Sequence, residues 1–299
     1  MRKTEKFSDA FRDLETRDDA DIIAAILDAQ ANGIAAVRGA GPALAAAAGA
    51  AAECLRQNPA GRIVYGGAGT SARLGVQDGV ELVPTFGWPT ERLAYLIAGG
   101  PDALTRTAEG AEDDAEQAQA DVNSLSVGPG DVCVFLSASG VTPYAVTACQ
   151  AARAAGALTI GIANNPDTSL LQAAEHSIVL ETGPEPIGGS TRMTAGTAQK
   201  VTLNLISTLM MIRMGRVYGG MMVDVIASSD KLRERALRIV VEAAKVDEDA
   251  ARAALAACDQ AVKPAILVAR GLTLDDANTL LEANDGDLRH ALATLQGES

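Results

Sequence analysis

The sequence predicts an α/β protein. Its centre is a doubly wound parallel sheet with helices on both faces, joined by an N-terminal helical arm and a small C-terminal helical bundle. Three observations carry this. Short apolar runs recur through the middle of the chain, each run ends in a Gly/Ser/Thr loop, and segments of helical period separate them. Strands covered on both faces read as continuous apolar stretches rather than alternating ones, and these runs have that character.

Residues 1–19 are polar and aperiodic and read as an arm. Over 21–56 apolar residues recur at helical spacing (Ile22, Ile23, Ile26, Leu27, Ile34, Val37, Leu44), interrupted at Gly41–Pro42, which leaves two helices or one bent helix. The strand-like runs are 62–65, ending in Gly66-Gly67-Ala68-Gly69-Thr70, then 93–98, ending in Gly99-Gly100, and 131–136, ending in Ser137-Ala138-Ser139-Gly140. Two more follow: 158–163, ending in Asn164-Asn165-Pro166, and 178–180, ending in Glu181-Thr182-Gly183. A helix over 143–155, closed by Gly156, joins the third run to the fourth. GGSTRMTAGTAQK then opens a long helix over about 191–214. From Asp230 the chain is helical, with breaks near 246–247, 271–272 and 284–286, and its last three segments resemble a three-helix unit of the ubiquitin-associated type. The resulting division is an arm with helices over 1–58, a sheet domain over 59–229 and a helical region over 230–299.

A chain of 299 residues can bury a sizeable core. Its net charge of -13 repels nucleic-acid phosphates and anionic lipid, so nucleic acid and membrane surfaces are not expected partners. A small phosphorylated ligand remains compatible, because backbone N–H groups and hydroxyls bind it locally. The four cysteines, Cys54, Cys133, Cys149 and Cys258, are widely spaced without a CxxC pair and read as buried thiols of a reducing compartment. His176 and His290 stand apart from any ligand cluster, so no metal site is expected. The charged start MRKTEKFSDAFRDLE is unlike a signal segment, and no apolar run is expected to be long enough to span a bilayer, the densest, 203–214, being broken by polar residues. The expected location is cytoplasmic.

In an open parallel sheet, ligands bind beyond the carboxyl ends of the strands, where the small polar residues of this chain fall. Gly66–Gly75 (GGAGTSARLG) follows a strand and opens a helix. Its glycines admit an anion close to the backbone, while Thr70 and Ser71 offer hydroxyls. It lacks the GK[ST] of a Walker loop and the third glycine of a dinucleotide fingerprint, and taken alone it serves equally as a tight turn. Ser137, Ser139, Gly140 and Thr142 form a second such loop, and two hydroxyl loops on two parallel strands describe a phosphate cradle. Ser190, Thr191 and Arg192 open the long helix as a third cluster, with Lys200 serving either an anion or a solvated face. Among the carboxylates, Glu81 precedes an apolar stretch with Phe86 and Trp88, surroundings expected to desolvate it and raise its pKa for acid–base work. Glu109, Glu112, Asp113 and Asp114 read by pattern as an acidic helix face.

GGAGTSARLGVQDGVELVPTFGWP, LIAGG, EGAEDD, SASGVTPY, GIANNP and STRMTAGTAQK, in this order and spacing, resemble the N-acetylmuramic acid 6-phosphate etherases, whose sugar isomerase (SIS) domain implies a flavodoxin-like sheet, and their relative, the glucokinase regulatory protein. The resemblance runs from about residue 61 to 230. It implies loss of the D-lactyl ether from the sugar phosphate through ring opening, removal of the carbon 2 proton, expulsion of lactate from carbon 3 and addition of water. It also implies a homodimer and no metal or organic cofactor. By motif, Glu81 matches the acid–base glutamate and Glu112 the second active-site glutamate. Gly69, Thr70, Ser71, Ser137, Ser139, Gly140, Thr142, Ser190, Thr191 and Arg192 fall where the family binds substrate. The chain departs from the pattern at Ala72 (usually Gly), Val141 (usually Arg), Thr194 (usually Lys) and Gly188-Gly189 (usually a bulkier residue plus Gly), and the family's N-terminal TExxN segment is only partly present, as Thr4-Glu5 followed by Ser8. Two cations are then expected to be missing from the site. Two further readings stay open: a lyase or isomerase on another amino-sugar phosphate, and a non-catalytic sugar-phosphate sensor.

Overall fold

The computed structural model describes residues 2–296. The chain forms two compact units, one running up to Gly79 and resuming over Glu91–Leu209, the other comprising Val80–Thr90 and the described residues from Met210 on.

In the first unit the arm makes three short 3-10 turns, Lys3–Glu5, Asp9–Phe11 and Leu14–Thr16. Two helices follow, α1 (Asp19–Gly39) and α2 (Gly41–Gln57), so the Gly-Pro interruption separates helices rather than bending one. Asp18 caps α1 by accepting the Asp21 N–H at 2.9 Å, and Pro42 sits in the first turn of α2, where a missing N–H does no harm. α1 is long and apolar enough to cross a bilayer, contrary to the expectation that no stretch qualifies, but Ala29, Gly33 and Val37 on one side of it are buried within this unit.

The strands are β1 (Ile63–Gly67), β2 (Leu93–Ile97), β3 (Val132–Ser137), β4 (Leu158–Ala163) and β5 (His176–Val179). They pair in parallel in the order β2-β1-β3-β4-β5, the flavodoxin-like order. α3 (Gly69–Phe86) leaves β1, and α4 (Ala115–Ser124) precedes β3. α5 (Pro143–Ala154) and α6 (Ser169–Ala173) flank β4 in sequence. Val64, Cys133 and Phe135 share a core with Ala118, Tyr144, Ala148 and Leu170 of α4–α6, while α2 packs against β3–β5 on the other side. Tyr65 lies under α3, where a Cβ on Gly75 would come within 3.0 Å of the Tyr65 Cβ. α7 (Thr194–Arg213) then crosses close to α1. A Cβ on Gly33 would stand 3.1 Å from the Thr194 carbonyl oxygen, so the absence of a side chain there permits the approach.

In the second unit, 80–90 is stitched to the chain after 215. Arg216 donates from Nη1 to the Phe86 carbonyl at 2.6 Å and lies 5.3 Å from the centre of the fully buried Trp88 ring, and the Ile226 N–H reaches the Pro84 carbonyl at 3.4 Å. These bonds tie 80–90 to the later part of this unit, which resumes at Met210. Helices α8 (Asp230–Ala244), α9 (Glu248–Ala257), α10 (Val262–Ala269), α11 (Leu274–Glu282) and α12 (Leu288–Gln296) break where the sequence punctuation lies. Asp247 and Thr273 act as N-caps, and Lys245 and Gly271 take left-handed φ. Leu237, Val240, Leu255, Ile266, Leu281 and Leu292 belong to one core, so the last three helices share it with α8 and α9.

Candidate active site

β1 and β3 are neighbours in register, Gly67 beside Leu136, yet the chain leaves them toward opposite edges of the sheet. Such a switch point opens a crevice at the carboxyl ends of the strands. Here it is a cavity of about 450 Å³. The β1 loop lines it with Gly69, Thr70 and Ser71, and the β3 loop with Ser137, Ser139, Val141 and Thr142.

The β3 loop is a knot of hydroxyls. Ser137 Oγ lies 2.8 Å from Thr142 Oγ1 and 3.1 Å from Ser139 Oγ. Ser137 Oγ accepts the Gly140 N–H at 3.0 Å, and Ser139 Oγ accepts the Val141 N–H at 3.3 Å. Three hydroxyls within one oxygen's reach, beside the N-terminus of α5, suit an acceptor-only anion such as phosphate. Gly140 closes the turn at φ +73°, where an added Cβ would fall 2.3 Å from Thr168 Oγ1. It is buried and shapes the loop rather than lining the cavity. Asn165 braces the loop from behind, donating from Nδ2 to the Ala138 carbonyl at 2.9 Å.

In the β1 loop Gly67 is required for close approach, since a Cβ there would stand 2.8 Å from the Leu136 carbonyl oxygen. Ser71 is nearly buried and donates to Gln199 Oε1 at 2.8 Å, while Gln199 Nε2 donates to Asn164 Oδ1 at 2.9 Å. Its proton is therefore committed to α7, and Thr70 is the freer hydroxyl. A second buried group fixes the start of that helix. Glu185, 1% exposed, accepts the N–H groups of Thr194 and Ala195, each at 2.9 Å.

Of the acidic candidates, Glu112 lines the cavity together with Asp113. Both sit in a short 3-10 turn, Ala111–Asp113, rather than on a helix face, and Asp114 caps α4 instead by accepting the Gln117 N–H at 2.8 Å. Glu81 belongs to the second unit and is not among the residues lining the cavity. It is exposed, and the desolvation expected from Phe86 and Trp88 is not provided there, because Trp88 is buried beneath Arg216. From the third cluster Thr191 lines the cavity, whereas Ser190 and the exposed Arg192 do not. Thr194 is 1% exposed, lies against Gly33 of α1 and is not among the residues lining the cavity, while Val141 is.

Two groups of the arm that the sequence did not place in the site, Arg2 and Glu5, line the same cavity. The arm is anchored by Thr4, which is fully buried: Asn165 Nδ2 donates to Thr4 Oγ1 at 2.9 Å, and the Thr4 N–H reaches Asn165 Oδ1 at 3.4 Å. The signal available was the Thr4-Glu5 pair itself, inside a stretch without period.

The family model described as the glucokinase regulatory protein N-terminal SIS domain matches residues 46–153, and that of the SIS domain matches 112–214. The chain is 47% identical over 299 residues to an N-acetylmuramic acid 6-phosphate etherase of Deinococcus radiodurans, covering 100% of this chain and 97% of the relative. It is 50% identical over 260 residues to the etherase of Streptomyces coelicolor, covering 86% of this chain and 82% of the relative. To that of Pectobacterium atrosepticum it is 47% identical over 252 residues, covering 84% and 82%. Identity at this level across nearly the whole of a relative is consistent with the α/β fold and its switch-point cavity, and the chain is an enzyme that belongs to the N-acetylmuramic acid 6-phosphate etherase family.

Proposed function

We propose that the enzyme cleaves the D-lactyl ether of N-acetylmuramic acid 6-phosphate, giving N-acetylglucosamine 6-phosphate and D-lactate, in cytoplasmic recycling of cell-wall amino sugars. The observation that carries this reading is one cavity with the Ser137–Ser139–Thr142 hydroxyls and the Glu112 carboxylate in its lining. The hydroxyls suit the phosphate, and the carboxylate suits proton transfer on the sugar. In the open-chain sugar the aldehyde acidifies the carbon 2 proton. Its removal sends the electron pair toward carbon 3, the carbon 3–oxygen bond breaks, and the lactate oxygen takes a proton. Water then adds its hydroxyl to carbon 3 and a proton to carbon 2, so one water is consumed per ether cleaved. Motif resemblance supports Glu112 for ring opening or proton transfer, and Glu81 for protonating lactate and activating water. A homodimer is part of the same proposal. Its support is a row of exposed apolar residues on α1, Ile23, Leu27 and Ile34, at helical spacing on one face.

The test is incubation with N-acetylmuramic acid 6-phosphate and assay of D-lactate. Release is expected from the phosphorylated sugar and not from the unphosphorylated one. Glu81→Gln is expected to slow turnover by ~100- to 10,000-fold with affinity within a few-fold. No lactate from the wild-type enzyme sinks the activity, and near-wild-type release by the variant removes Glu81 from the mechanism.

A further inference from the structure

The cavity poses an electrostatic problem. Its lining carries the carboxylates of Glu5, Glu112 and Asp113, all of which repel an anionic ligand. The two cations that the helix-opening cluster offered, Arg192 and Lys200, do not line it. Among the described residues the cavity has one cationic side chain, that of Arg2.

Arg2 is not a loose surface charge. Lys3, next to it, pairs with Glu181, and Thr4 is fully buried on Asn165. Asn165 also holds the Ala138 carbonyl inside the hydroxyl loop, so one amide side chain ties the arm and that loop together. Arg2 and Val141 line this cavity and also the neighbouring one, which places Arg2 on the hydroxyl-loop side of the opening. Its guanidinium has no hydrogen-bond or ion-pair partner among the described residues, so its five donors are available to a ligand. A planar guanidinium matches phosphate through two parallel N–H bonds, which hydroxyls do not supply.

We infer that Arg2, carried onto the cavity by the Thr4–Asn165 anchor, binds the substrate's phosphate and offsets the carboxylates around it. The inference rests on the phosphosugar reading above, but it concerns binding rather than ether cleavage.

Titration calorimetry with N-acetylglucosamine 6-phosphate, with inorganic phosphate and with unphosphorylated N-acetylglucosamine tests it directly. Arg2→Ala is expected to weaken both phosphorylated probes by about ten-fold or more at low salt, the loss of one charge-assisted contact. Affinity for the unphosphorylated sugar should stay unchanged. Arg2→Lys should recover only part of the loss, since a point charge replaces the fork. Adding Val141→Arg to Arg2→Ala should restore binding, because residue 141 lines the same opening. In turnover the effect should fall on KM, with kcat within a few-fold. Arg2→Ala binding within two-fold of wild type, equal loss for the unphosphorylated sugar, or a wild-type enzyme that binds neither phosphorylated probe would each overturn the inference. Arg2-dependent phosphate binding without lactate release leaves the inference standing and removes the etherase reading. Lactate release with an unchanged KM in Arg2→Ala does the reverse.

Discussion

Gly140 stands where the hydroxyl loop turns back, and two independent constraints meet on it. Its φ of +73° is a conformation that side-chain-bearing residues adopt at a cost of roughly 1–2 kcal/mol. A Cβ would also meet Thr168 Oγ1 at 2.3 Å and Thr168 Cβ at 2.5 Å, too close for Thr168 to stay where it is. Thr168 has no easy retreat, since it is buried and its carbonyl accepts the Gln172 N–H at 3.1 Å. Gly140→Ala is therefore expected to lower stability by about 2–4 kcal/mol. It should also weaken phosphosugar binding, because the Ser137, Ser139 and Thr142 hydroxyls lose their common geometry. A thermal melt with calorimetry on the same variant checks both, and a variant that melts and binds like wild type would show that the loop relaxes freely. The Gly was legible from sequence as part of a Ser/Gly loop. Its partner was not, because Thr168 approaches from the start of α6.

At the scale of elements, local chemistry wrote most boundaries and left the long-range ones blank. The strands were readable because a sheet covered on both faces demands continuous apolar runs, and DVCVFL and LTIGIA satisfy that without reference to neighbours. The break between α1 and α2 was readable from Gly41–Pro42. α7 begins at Thr194, three residues later than the hydroxyls of Ser190 and Thr191 suggested. The group that anchors its first turn is Glu185, nine residues before Thr194, with no local pattern to announce it. Arg2 and Glu5 could not be placed in the site for the same reason, since the bond that positions them spans 161 residues to Asn165. The anchor at α7 has a consequence. Glu185→Gln keeps one acceptor and turns an amide donor toward a backbone N–H, leaving a buried N–H of Thr194 or Ala195 unsatisfied. The expected loss is about 1–3 kcal/mol. Because Gln199 of α7 holds Ser71, phosphosugar affinity should fall as well. Unchanged melting in this variant would show that water or a shifted chain replaces the bond.

For the whole molecule, two buried carboxylates make stability depend on pH in opposite senses. Asp131 joins the turn before β3 to the entry of β1. It accepts from Arg62 Nη2 at 2.7 Å, Arg62 Nε at 3.1 Å, and the N–H groups of Arg62 and Gly128 at 2.9 and 3.1 Å. Burial pushes its pKa up, but these four donors and the guanidinium charge together bring it below its ordinary value. The folded state then holds the proton less tightly than the unfolded one. Its stabilisation is fully present above the unfolded value of about 3.9 and is lost as pH falls through the lowered folded value. Asp78 behaves conversely. Burial raises its pKa despite hydrogen bonds from Tyr65, Asn204 and Ser207. Above about pH 3.9 the unfolded chain releases this proton while the folded chain keeps it, so stability falls as pH rises through that window. Asp131→Asn turns a donor toward the Arg62 and Gly128 donors, and is expected to lose about 2–4 kcal/mol at neutral pH. Its deficit should shrink as pH falls below about 3.9. Asp78→Asn should lose little at neutral pH, and its standing relative to wild type should improve as pH rises from about 3.9, because an amide has no proton to release. Melting temperatures of the three proteins from pH 3 to 8 decide the matter. A deficit for Asp131→Asn that stays constant down to the lowest pH removes the charge from the account of that contact. A difference for Asp78→Asn that is independent of pH shows that the buried carboxyl titrates alike in both states.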